Sequence, residues 1–362
     1  MTPVEQAIRR RIVVDGPQSL AAVMAAANEH YYGTRDPLGA AGDFITSPEI
    51  SQIFGELAGL WAAMVWMSLG QPERVLLVEL GPGRGTLMAD ALRALKSVPG
   101  ARKAVDVHLV ETSPILRASQ KRLLEMGGAT ATWHDNLDGL PPGPMIVIAN
   151  EFFDALPVHH YERVAEGWRE RCVGLSADGE LALGLAPYAV PAELIPGVLR
   201  DCPVGSVAET SPASHGIMIE LSSRLVRHGG AALVVDYGYT RTAPGETLQA
   251  LKAHRRQDVL ADLGEADLTA HVDFAALASV ARASGATAHG PVTQRDFLLA
   301  MGIMPRLAAL QRGAGTRVSA GLQVAVERLL DPTPTGMGSL FKALSITSPR
   351  LPPPSGFEHP LP

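Results

Sequence analysis

A chain of 362 residues has room for about two folding units. Its 46% hydrophobic and 19% charged residues exclude a disordered polymer. Lys+Arg 31 against Asp+Glu 37, a net charge of -6, excludes the basic footprint of a nucleic-acid binder. The two cysteines, Cys172 and Cys202, form neither a C-x-x-C pair nor a disulfide framework, which fits a reducing compartment.

The first 70 residues predict a helical cap. Residues 4–14 form a short amphipathic stretch stopped by Gly16-Pro17, and residues 18–30 an Ala-rich helix. Ser47-Pro48-Glu49 predicts a third helix, with Ser47 as N-cap and Pro48 at the first helical position of a long apolar run. The most apolar part, residues 57–69, is shorter than the ~20 residues of a membrane span. It reads as a buried or interface helix, so a homo-oligomer stays open. A glycine-loosened loop carrying Asp43 and Phe44 precedes this helix. Arg9, Arg10 and Arg11 are flanked by acids and followed by no apolar segment, so neither a signal nor a transit peptide is expected. The expected setting is a bacterial cytoplasm, or the mitochondrial matrix only for a processed eukaryotic form.

From Arg74 the pattern becomes strand–turn–helix. Residues 75–80, 105–110, 129–134, 144–149 and 231–235 predict strands ending on or just before Glu79, Glu111, Asp135-Asn136, Asn150-Glu151 and Asp236. Helices between them indicate a doubly wound, Rossmann-like α/β sheet. Residues 161–186 predict a hairpin turning at Ala177-Asp178-Gly179, followed by proline-punctuated loop. The expected organisation is a cap over 1–70, a sheet domain over 71–160 and 211–348, a substrate lid over 161–210, and a frayed tail over 349–362.

The strongest local signal is Glu79-Leu80-Gly81-Pro82-Gly83-Arg84-Gly85-Thr86, between a strand and a helix. Glycines let the backbone turn sharply and a ligand approach without Cβ interference. A dinucleotide site wants G-x-G-x-x-G; this loop is G-x-G-x-G with an acid two residues ahead. An acid there repels pyrophosphate and attracts a cationic ligand, and S-adenosylmethionine carries an ammonium and a sulfonium. A nicotinamide or flavin cofactor and a bare turn are the competing readings.

Glu111 stands where a ribose diol would donate to it, and Asp135 and Asn136 where an adenine amino group would lie. Asn150, Glu151 and Asp154, with Phe152 and Phe153 between them, end the fourth strand and suit the orienting of a nucleophile beside a methyl donor. His159-His160 and His271-Val272-Asp273 are the only hints of a metal site, and their spacing makes a metal unexpected.

Taken together the chain resembles the mitochondrial complex I assembly-factor methyltransferases and their bacterial MidA-like relatives. The resemblance rests on Gly42-Asp43-Phe44-Ile45-Thr46-Ser47-Pro48-Glu49, the 78–86 glycine segment, Val110-Glu111-Thr112-Ser113-Pro114, Asn150-Glu151-Phe152-Phe153-Asp154, Val235-Asp236-Tyr237-Gly238-Tyr239 and Asp267-Leu268-Thr269-Ala270-His271. It implies a class I methyltransferase fold, S-adenosylmethionine as cofactor, and symmetric dimethylation of an arginine on a complex I subunit. A guanidinium stays protonated and must be gripped by acids. Asp43, Asn150, Glu151 and Asp154 are the acceptor-side candidates; Glu79, Gly81, Gly83, Gly85, Glu111, Asp135 and Asn136 are the cofactor-side ones. A non-catalytic cofactor-binding assembly factor and a nicotinamide oxidoreductase are the alternatives.

Overall fold

The computed structural model describes residues 1–34, 46–253 and 255–358. They divide into two compact units: the described residues among 1–44, 154–216 and 241–273, and those among 45–153, 217–240 and 274–362.

The second unit is built on a sheet. Its strands are β1 (Val75–Leu80), β2 (Val105–Val110), β3 (Thr132–His134), β4 (Met145–Asn150), β5 (Gly230–Tyr239), β6 (Thr287–Thr293) and β7 (Phe341–Thr347), in the order β6-β7-β5-β4-β1-β2-β3. β1 to β5 pair in parallel, while β7 runs antiparallel to both β5 and β6. β1 and β4 are buried at every position, as strands covered on both faces must be, and so read as apolar runs interrupted only near their ends by Glu79 and Asn150. From β1 the chain moves outward through β2 and β3, then returns to the other side of β1 as β4. Strand order therefore reverses between β1 and β4, and their carboxyl ends open the crevice where such sheets bind ligands. Gly230 makes the β4–β5 approach possible: a Cβ there would lie 1.9 Å from the Met145 carbonyl oxygen.

Three helices shape this crevice: α1 (Gln52–Ser68), α2 (Thr86–Leu95) and α3 (Pro114–Met126). α1 packs so closely on α2 that a Cβ on Gly59 would fall 2.5 Å from the Ala91 carbonyl oxygen. Leu57, Trp61, Ala62 and Val65 are buried in the core, so the apolar run at 57–69 is largely spent inside this unit. α1 does not start at Ser47. Thr46 precedes a separate four-residue helix, Ser47–Ile50, and Ser51 then turns extended (φ -156, ψ 131) and caps α1 by accepting the Ile53 N–H at 3.3 Å. Ser113 caps α3 as its Ser-Pro pair predicts, accepting from Leu116.

The first unit joins segments the sequence reading kept apart. Helices Pro3–Asp15 and Leu20–Thr34 share one core with the later segments: Val4, Ile8, Val23 and Met24 pack with Val158, Val173, Leu263 and Leu268. Gln18 and Ser19 pair with Val173 and Cys172. The expected hairpin is three strands, His159–Val164, Gly167–Leu175 and Leu181–Ala189, because the chain also turns at Ala165-Glu166, and with Gln18–Ser19 and Val207–Thr210 they make a five-stranded sheet. A division at residue 70 is thus not the one the structure makes: α1 belongs with the sheet, while residues 1–34 pack with the 159–210 segment. Nor is the stretch after 349 frayed up to 358, since Phe357 is buried against Phe297 with ring centroids 5.5 Å apart. No helix among the described residues is long and apolar enough to cross a membrane.

Candidate functional site at the carboxyl ends of β1 and β4

β1 ends in Glu79-Leu80 and passes into the glycine loop. Gly81, Gly83 and Gly85 all have positive φ, at 60°, 52° and 86°, where side chains are disfavoured. A Cβ on Gly81 would stand 2.9 Å from Phe152 Cδ2, and one on Gly85 3.3 Å from Gln120 Cα. The loop is therefore pressed between the segment after β4 and helix α3, with bare backbone lining it.

Glu79 is 3% exposed, accepts the Met88 backbone N–H, and has one carboxyl oxygen, Oε2, that finds no partner among the described residues. Burial, and then the charge of Glu111, push its pKa up to about 8. Glu111, at the end of β2, accepts from the Ser113 N–H at 2.8 Å and the Gln120 amide at 3.2 Å; burial also pushes its carboxyl up. A half-satisfied buried acid beside a glycine cradle fits a ligand that brings a cation.

The Glu79 shift has a measurable consequence. A carboxyl with a raised folded-state pKa is protonated in the fold, so stability falls as pH climbs from the unfolded value of 4.5 toward about 8. Glu79→Gln should remove that penalty. Thermal melts of the ligand-free protein at pH 5 and pH 8 should show the variant gaining on wild type at pH 8. An identical pH dependence in both proteins would contradict this.

Gln120, wholly buried on α3, was absent from the sequence-based site yet ties it together. Its amide donates to the Gly83 carbonyl at 2.6 Å and to Glu111, and its Oε1 accepts from Trp133 Nε1 at 2.8 Å. The signal was available: Leu116, Gln120 and Leu124 share one buried helix face, and only Gln120 is polar. Asp135 and Asn136 follow β3 and are exposed. Asp135 pairs with Arg117 at 2.6 Å, and Asn136 caps the 137–139 turn by accepting from Gly139 at 3.3 Å.

At the end of β4, Asn150 and Glu151 touch: Asn150 Nδ2 donates to Glu151 Oε1 at 3.1 Å, and the Ser47 N–H donates to the same oxygen at 2.8 Å. Asn150 Oδ1 is buried without a partner among the described residues. Glu151 has φ +50, a region costing a non-glycine residue on the order of 1 kcal/mol and concentrated at functional sites. The next two amides, of Phe152 and Phe153, donate to Asp236 Oδ2 at 3.2 and 3.0 Å. Asp236, fully buried at β5, thus holds the turn that carries Glu151. It too was missed as a site residue, though it is an acid directly following a buried apolar run, as Glu79 is.

Asp154 lies in the other unit, buried. Its carbonyl accepts from Ala270; burial, then the charges of Asp267 and Asp154, raise the Tyr32 phenol, whose hydroxyl donates to Asp267 at 2.7 Å. Asp43 lies outside the described residues. His159 and His160 sit on opposite faces of their strand, pairing with Glu170 at 2.6 Å and Glu209 at 2.7 Å. No group of metal-ligating side chains suited to an ion exists among the described residues.

A parallel sheet with an antiparallel last strand, a glycine loop after β1 and an acid ending β2 define a class I S-adenosylmethionine-dependent methyltransferase. Sequence and structural comparison carry the assignment to a family. A family profile for S-adenosyl-L-methionine-dependent methyltransferases matches residues 57–292, and the chain belongs to that family. It is 40% identical to the protein arginine methyltransferase NDUFAF7, mitochondrial, of Mus musculus, covering 87% of this chain and 78% of that one. It is 38% identical to the Homo sapiens protein of the same name, over 95% and 83%. A crystal structure of a protein from Burkholderia thailandensis, bound to S-adenosyl-homocysteine, superposes with a TM-score of 0.82 at 26% identity, covering 99% of this chain and 93% of that one.

Proposed function

We propose that this chain transfers methyl groups from S-adenosylmethionine to an arginine side chain of a protein, and that this protein is a respiratory complex I subunit. The observation that carries the arginine reading is Glu151, held at positive φ by Ser47, Asn150 and the Asp236-anchored turn at the carboxyl edge of the sheet. The names of the 38–40% identical relatives support it, and the complex I acceptor follows the family resemblance.

In this reading Gly81, Gly83 and Gly85 offer backbone to the methionine end of the cofactor, Glu79 takes its ammonium, and Glu111 takes the ribose hydroxyls. Asp135 and Asn136 flank the adenine. Bound S-adenosylmethionine supplies an electrophilic methyl on a positively charged sulfur. The chain's task is then to place one guanidinium nitrogen in line, so that its bond to the methyl forms as the methyl–sulfur bond breaks and the nitrogen sheds a proton to solvent after attack; well-oriented systems gain up to about 7–11 kcal/mol from such positioning. Glu151 supplies negative charge that grips and orients the guanidinium, and Asn150 Oδ1 accepts one of its N–H groups. Phe152, packed on Gly81, keeps water from the transfer path. The free thiols of Cys172 and Cys202 suit a reducing setting, the bacterial cytoplasm of the sequence reading among them.

The test uses the purified protein, methyl-labelled S-adenosylmethionine and lysate from cells lacking the protein. One labelled band yielding dimethylarginine on mass spectrometry supports the proposal. Label found on lysine or on small molecules instead would refute the arginine assignment.

A further inference from the structure

The four-residue helix Ser47–Ile50 touches both sides of the site. Glu49 Oε1 accepts the Thr86 hydroxyl at 2.5 Å, and Glu49 Oε2 lies 3.9 Å from Arg84 Nη1. Arg84 is inside the glycine loop and Thr86 opens α2 directly after it, so Glu49 braces the loop from outside. Two residues earlier, the Ser47 N–H holds Glu151 at 2.8 Å.

These contacts hang on one rigid piece. Ser47 and Pro48 are buried, the proline fixes its own φ, and the extended Ser51 separates the turn from α1. Had the helix run unbroken from Ser47, as the Ser-Pro signal suggests, this turn would have followed the α1 axis. A displacement of the glycine loop that moves Glu49 must move Ser47, and with it the donor that orients Glu151.

We propose that the Ser47–Ile50 helix is a strut coupling the cofactor loop to Glu151, with Glu49 as a positioning residue that acts through Thr86 and Arg84. This rests on the methyltransferase reading and deepens it: occupancy of the cofactor loop and the placing of the acceptor-side carboxylate are coupled. Glu49 carries out no chemistry. Its effect is to transmit the state of the loop.

The experiment needs no acceptor. S-adenosyl-homocysteine is titrated calorimetrically into wild type, Glu49→Gln, Thr86→Val and Thr86→Ser, and amide hydrogen exchange is followed with and without it. In wild type the ligand slows exchange in residues 81–86 and also in 47–53 and 151–153. In Thr86→Val, which keeps the side-chain shape and loses the donor, affinity falls about 5–10-fold, the size of the net contribution of one typical hydrogen bond. At saturating ligand, residues 81–85 of that variant stay protected while the gain at 47–53 and 151–153 is lost. Glu49→Gln, whose Oε1 still accepts the Thr86 hydroxyl, keeps the gain at 47–53 and 151–153, and so does Thr86→Ser. Ligand-induced protection at 47–53 and 151–153 that persists in Thr86→Val, with only a lower melting temperature, would make the contact merely structural and overturn the proposal. If wild type does not bind S-adenosyl-homocysteine in the first titration, the methyltransferase reading itself falls and takes the strut with it.

Discussion

Glu151→Gln is expected to lower the rate of arginine methylation by about 100-fold or more while leaving S-adenosyl-homocysteine affinity within about threefold; removing one side of a desolvated charge pair typically costs about 3–5 kcal/mol. Glutamine is close to isosteric, and its Oε1 still accepts the Ser47 N–H and the Asn150 amide that hold Glu151 at 2.8 and 3.1 Å. The φ of +50 is unchanged, as are the Asp236 bonds that pin the turn. Only the negative charge is lost, and a guanidinium with pKa above about 12 presents a full positive charge to it. The loss should fall on both kcat and the acceptor KM, because charge both captures the guanidinium and fixes its nitrogen in line. Single-turnover transfer, with calorimetric binding as control, separates this from damage to the cofactor side. Wild-type transfer by Glu151→Gln would remove Glu151 from the acceptor grip.

What the sequence disclosed and what it hid divide along one physical line. Gly81, Gly83, Gly85 and Glu79 are legible because a βα turn is local: a buried strand, an acid at its end and glycines at positive φ fall within seven residues. Val75–Leu80, Met145–Asn150 and the start of Gly230–Tyr239 are legible for the same reason, each a short buried apolar run ending near a polar residue. The third strand, by contrast, shrinks from the expected 129–134 to Thr132–His134 at the exposed edge. The antiparallel pairing of the final strands, and the bonds that make a site of these residues, join positions far apart in the chain. Ser47 reaches Glu151 across 104 positions, Asp236 reaches Phe153 across 83, and neither span leaves a periodic trace. The first-unit core is hidden likewise, since Val4 and Ile8 meet Val173 and Leu268 only through the fold. Ser47-Pro48 shows a local rule applied one step too far. The helix it opens is real, but Ser51 offers a second cap that competes for the start of α1, and the competing cap won.

Gly81→Val is expected to abolish measurable S-adenosyl-homocysteine binding, a loss of at least about 100-fold, while the protein still folds. Two effects act at this position and a control separates them. The first is backbone strain: at φ +60 an L side chain costs roughly 1–2 kcal/mol, more when β-branched. The second is occupation of space, because the new Cβ would stand 2.9 Å from Phe152 Cδ2 and its methyls would spread over the backbone that the cofactor must approach. Phe152 must then shift, and its neighbour Phe153, whose ring stands edge-on to it at 5.3 Å, resists that. Gly70→Val carries the first effect without the second: Gly70 has φ +84 at the end of α1, and nothing lies within 4 Å of its Cβ position. Both variants should melt a few degrees lower, at about 2–4 °C per kcal/mol for a domain of this class. Only Gly81→Val should lose the ligand. If the two variants bind S-adenosyl-homocysteine alike, the bare backbone after β1 is not the cofactor cradle, and Glu79 must be buried and half-satisfied for some other reason.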